Sequence, residues 1–165
     1  MASLDLADLI PDLTYNLNAP GEDQFATVSE EEWVSRLRDG FWNAFNDGLV
    51  QDYTESDGYV TGRSSADLMP RDQQQLIILY TGINVVFQQM LRLNTLFRAK
   101  AGPVEYETQQ SAQLLKSLLD EMSDRRNKVL ERLAETGETG AVFLIDTYRS
   151  RQDALYSGDS LWVGY

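Results

Sequence analysis

The chain of 165 residues contains no cysteine and no histidine. Without cysteine there is no disulfide framework, no thiolate metal site and no thiol nucleophile. Without histidine, serine–histidine triads, imidazole general bases and the commonest metal ligand go as well. Proline is scarce, at four residues, and no apolar run approaches the eighteen or so residues of a membrane span. The N-terminus is acidic and has no basic leader of the secretory kind. The expectation is a chain made in a cytosol-like compartment or assembled from one, with no membrane partner and no cofactor.

What is present is acid. The formal net charge is −12, and it is unevenly placed. Residues 1–62 hold thirteen acidic and two basic side chains, residues 63–135 nine and ten, and residues 136–165 four and two. Nucleic-acid affinity comes mainly from Lys and Arg displacing counterions, so this composition excludes a strong grip on DNA. Acidity on this scale serves solubility, repels DNA or recruits a basic partner. An apolar share of 42% is enough for one core-bearing domain with appendages.

The pattern from Pro70 to Gly137 organises the rest. Leu76, Tyr80, Ile83, Phe87, Met90 and Phe97 recur at steps of three and four, with Leu79, Val86 and Leu93 beside them. This predicts a long helix from Arg71 to about Lys100 whose wide stripe is covered from more than one side. Gly82 is its one weak point. Pro70 suits the first turn, with Asp67 as a possible cap. Gly102 and Pro103 form a hinge, one ending the first helix and the other opening the next. The second helix buries Ala112, Leu115, Leu119, Met122, Val129, Leu130 and Leu133. Its Arg125, Arg126, Lys128 and Arg132 fall near the C-terminal end, as on a solvated helix. A corner this short makes the two arms antiparallel.

Around that hairpin, residues 1–28 read as a leader in which a helical pattern from Ser3 to Ile10 is stopped by Pro11. Its leucines predict that it lies on the body or on a neighbouring copy. Ser29 with Glu32 is a capping box, opening a helix to about Asp47 that carries Trp33, Leu37, Phe41 and Phe45 on one face and Trp42 beside them. Between Leu49 and Thr61, the cluster Glu55-Ser56-Asp57-Gly58 predicts a β-hairpin or structured loop projecting from the body, with Tyr53, Asp57, Gly58 and Tyr59 on display. Residues 141–148 are a strand candidate. The ending puts Leu161, Trp162, Val163 and Tyr165 among small residues, either a set of anchors for a partner or a tail tucked onto its own domain. The fold class expected is mainly α: a helical bundle built on a long antiparallel hairpin, with a small β-hairpin and an extended C-terminal arm. The expected divisions are 1–28, 29–140 and 141–165.

Three elements in this order carry a family resemblance: the capped helix Ser29-Glu30-Glu31-Glu32-Trp33, the loop around Asp57-Gly58, and the central helix from Pro70. With Ala101-Gly102-Pro103-Val104-Glu105-Tyr106-Glu107 and Ser111-Ala112, they resemble the head-to-tail adaptor (connector) proteins of tailed bacteriophages with long non-contractile tails, in the versions from phages of actinobacteria. The resemblance covers about residues 29–136; the leader and the longer loop at 49–62 depart from the compact pattern. It implies a non-enzymatic virion protein at the head–tail neck, assembled in the host cytoplasm. Copies of itself would form a ring, dodecameric in the family, under a portal protein and above a stopper or tail protein. DNA would pass through the ring unread, and the C-terminal arm would dock on the portal. Two other readings stay open. One is an acidic protein-binding module that imitates DNA charge. The other is an all-α Mg²⁺ nucleotide hydrolase using Glu30, Glu31, Asp120, Glu121 and Asp124.

Overall fold

A computed structural model describes residues 3–17, 28–63, 68–99 and 105–135, and the side chains of 93–99 and 105–112 fall outside that description. The described residues are mainly helical, with one small antiparallel sheet. Strand β1 (Ser3–Asp5) leads through a 3₁₀ turn into helix α1 (Ile10–Leu17). Helix α2 (Glu30–Asn46), the hairpin of β2 (Tyr53–Ser56) and β3 (Tyr59–Gly62), and the long helices α3 (Arg71–Ala99) and α4 (Glu105–Glu135) follow. The mainly α fold class, a helical bundle with a small β-hairpin, is as the sequence predicts.

The α3/α4 pair is antiparallel. Arg132, near the end of α4, reaches Asp72 in the first turn of α3 at 3.1 Å, and Met122 meets Gly82 midway. Every residue from Leu76 to Gly82 is buried, because α1, α2 and α4 surround this stretch. A helix segment apolar on nearly all sides is stable only when enclosed in that way. Farther along, the expectation for α3 fails: Phe87 is 52% exposed, since among the described residues the small elements no longer cover the hairpin there. Leu119, expected in the core, is partly buried.

Ser29 caps α2, its Oγ accepting from the Glu32 amide at 3.3 Å. The Glu32 carboxylate pairs forward with Arg36. Trp33, Leu37 and Phe41 are buried, Phe45 is partly buried and Trp42 lies at the surface, as the spacing predicts. The helix crosses α3 at Gly40. A Cβ there would fall 2.0 Å from Thr81 Oγ1 and 2.9 Å from the Ile77 carbonyl oxygen, so only glycine allows this approach.

The N-terminal reading needs correction. Pro11 does not stop a helix; it sits in the first turn of α1, where its missing N–H costs nothing. Residues upstream of it form a strand, β1, which pairs antiparallel with β3 in the sheet order β1-β3-β2. Leu4, Leu6, Leu9, Leu13 and Leu17 join the same core as the long helices, so this segment lies on its own body. The turn of the β-hairpin is also tighter than predicted: Glu55 and Ser56 belong to β2, leaving Asp57-Gly58 alone as the connection.

Candidate functional site

The hairpin tip is shaped by backbone chemistry. Asp57 and Gly58 both take positive φ, +55° and +88°, the combination a two-residue turn needs to match strand twist. The tip does not project. Glu55, whose side chain is only 2% exposed, accepts from the Gly58 amide at 2.9 Å and from Arg38 Nε of α2 at 2.7 Å. The Gly58 carbonyl accepts from the Leu6 amide, and a Cβ on Gly58 would press against Val34 of α2. A carboxylate withdrawn from water is tolerable only with such partners, and here they fasten the hairpin to the helix. Of the four residues expected on display, Asp57 and Tyr59 are exposed, while Tyr53 and Gly58 are buried.

At the centre of the bundle, α2, α3 and α4 meet through polar groups. The Tyr80 hydroxyl donates to Asp47 Oδ2 at 2.6 Å, at the C-cap of α2. The Arg126 guanidinium of α4 lies 5.6 Å from the Tyr80 ring centroid and donates to Asn127 Oδ1. Arg126 is thus not a solvated-helix cation but a buried one, 6% exposed, because a cation over an aromatic face keeps part of its electrostatic stabilisation. Burial and the bond to Asp47 raise the Tyr80 pKa far above its ordinary value, so the phenol stays neutral. The cluster binds three helices together.

The carboxylates that a Mg²⁺ hydrolase would use are dispersed. Glu30 and Glu31 stand exposed in the first turn of α2, Asp120 and Asp124 stand exposed on α4, and Glu121 pairs with Arg125. Among the described residues, no three acidic side chains gather as a metal site would require. A shallow groove of about 400 Å³ between α3 and α4, lined by Gln75, Arg125, Lys128 and Arg132, is open to solvent.

Two surfaces offer apolar area. Trp42 stands at the surface of α2, edge-on to Phe41 and Phe45 at 5.4 and 5.3 Å, with Arg63 over Phe45. Along the uncovered part of the long hairpin, Phe87, Leu91 and Leu114 are 52%, 52% and 57% exposed. Periodicity could not reveal this second surface, since it marks an apolar stripe without saying what covers it. The hinge at Gly102 and Pro103, the strand candidate at 141–148 and the anchors Leu161, Trp162, Val163 and Tyr165 lie outside the described residues. Comparison of the chain with protein-family models, curated proteins and solved structures finds no match.

Proposed function

We propose that this chain is a structural virion protein, a head-to-tail adaptor that forms a ring with copies of itself between a portal and a stopper or tail protein. The observation that carries this reading is the long antiparallel hairpin of α3 and α4, whose far half the described remainder of the chain leaves bare. An assembly protein needs such a surface, and the order of parts leading to it (capped aromatic helix, β-hairpin, long helical hairpin) is that of the resemblance. The charge distribution supports a conduit that does not hold DNA, because thirteen acidic side chains in residues 1–62 face two basic ones.

The arm from Ser157 to Tyr165 is the segment proposed to dock on the portal. Trp162 and Tyr165 each bring on the order of 150–250 Å² of aromatic surface. Repetition around a ring turns a modest contact into firm attachment. Deleting residues 157–165 is the test. Helicity should barely change while co-sedimentation with the portal is lost; a truncated chain that still docks would contradict the role given to the arm.

The acidic first third also supports a second reading, a module that imitates DNA charge and binds a basic host protein. Tight capture of a basic DNA-binding protein, with no portal binding, would favour it.

A further inference from the structure

The sheet order β1-β3-β2 leaves β2 at an edge. The Arg63 amide donates to the Asp52 carbonyl at 2.8 Å, and from that pair the antiparallel ladder alternates. Thr54 and Ser56 therefore direct their backbone groups to β3, while the N–H and C=O of Glu55 point outward. Glu55 is half-buried although its side chain is only 2% exposed, so what meets water there is main chain. β2 carries neither proline nor lysine to block pairing. An edge of this kind is a template for another strand, and folded proteins cover such edges.

Beside the edge lies an apolar platform. Arg38, which holds the Glu55 carboxylate, and Trp42 are one turn apart on the outer side of α2. The Trp42 ring is 5.3 Å from Phe45, over which Arg63 lies. The exposed indole thus flanks β2 on the side away from β3.

The same chain holds a segment suited to this place. Residues 141–148 are rich in strand formers, and the adaptor reading gives them no role. Helix α4 ends near the first turn of α3, where Arg132 meets Asp72. The end of α2 is tied through Asp47 to Tyr80, about two turns along the same helix, and β2 starts seven residues after α2 stops. Both ends therefore lie toward one end of the bundle, and the six residues from Glu135 to Ala141 can span about 20 Å. Charge fits as well. Asp52 and Asp57 stand exposed at either end of β2, and Arg149 and Arg151, the only cations after Arg132, follow the segment.

We infer that residues 141–148 of the same chain add to the open edge of β2 as a fourth strand, one face of their side chains lying against Trp42. The inference goes beyond the adaptor reading, since it needs no portal and leaves the arm from Ser157 to Tyr165 free to dock.

The test is nuclear magnetic resonance of the isotope-labelled full chain. The Glu55 amide should show Overhauser contacts to the backbone of residues 141–148. Because the N–H groups of a strand alternate sides, one of two neighbouring residues must face β2, so Phe143→Pro with Leu144→Pro removes the pairing in either register. In that variant the Glu55 amide should exchange about tenfold faster than in wild type, with the amides from Leu76 to Thr81 unchanged as the check on folding. With Trp162→Phe in both chains, Trp42 emission should shift to the red in the proline variant, since Trp33 is buried in each. Absence of the Overhauser contacts would overturn the inference, and so would equal exchange of the Glu55 amide in the two chains. Contacts seen only between differently labelled copies in a mixture would also overturn it, because the added strand would then belong to a second molecule.

Discussion

Gly40 of α2 lies so close to Thr81 of α3 that no side chain fits between them: an added Cβ would sit 2.0 Å from the Thr81 hydroxyl oxygen. The Thr81 hydroxyl is not free to swing aside, because it donates to the Ile77 carbonyl at 2.7 Å, and that carbonyl is itself 2.9 Å from the same point. The approach of these two backbones positions α2 on the long hairpin.

Gly40→Ala should therefore destabilise the fold even though alanine is the better helix former by about 1 kcal/mol. Overpacking against backbone costs about 1–3 kcal/mol, which exceeds that gain. At Gly82 the neighbour is the flexible end of Met122, 1.9 Å from an added Cβ, so Gly82→Ala should cost less than Gly40→Ala. Urea unfolding should show the midpoint falling further for Gly40→Ala, with unchanged slope.

Tyr80 gives the stability a predictable pH dependence. Its folded-state pKa is raised, chiefly by burial and then by the bond to Asp47, so folding favours the neutral phenol. The contribution is fully present below pH about 10, where the unfolded phenol is also neutral. Above that, the unfolded state loses a proton that the folded state keeps, and stability falls by up to about 1.4 kcal/mol per pH unit. Tyr80→Phe should cost about 0.5–1.5 kcal/mol at pH 7. The gap between variant and wild type should narrow above pH 10. Ultraviolet titration of wild type against Tyr80→Phe should show the Tyr80 phenol silent until the chain unfolds.

The hairpin core divides into covered and uncovered halves, and substitutions should report the boundary. Leu130, at 1% exposure, should cost about 2–5 kcal/mol as Leu130→Ala. Phe87→Asp should cost no more than about 1 kcal/mol, because its ring is already half in water. Thermal melts of both variants check this; a Phe87→Asp chain that fails to fold would contradict the uncovered half.

What was legible in the sequence follows from how local each signal is. Ser29 with Glu32 marks a cap within one turn, and Asp57-Gly58 marks a two-residue hairpin, so both are read without tertiary information. The long arms follow from apolar spacing alone. By contrast, β1 is three residues long and finds β3 more than fifty residues away, which no local pattern encodes. Arg126 looks like its neighbours Arg125 and Lys128 until Tyr80 is seen beneath it. Gly40 and Gly82 resemble weak points in a helix, and only the crossing partners reveal why a side chain is excluded. Phe87 sits on the stripe, but the stripe outruns the cover that the described elements give it. The candidate portal anchors are legible in the sequence as large apolar residues among small ones.

The adaptor proposal itself turns on a ring. Purified full-length chain, mixed with the purified portal and imaged by cryo-electron microscopy, tests it most directly. The account predicts an annulus of helical density coaxial with the portal, with the complex heavier than the portal by a whole multiple of 18.7 kDa. A portal that gains neither density nor mass at micromolar concentrations of the chain would contradict it.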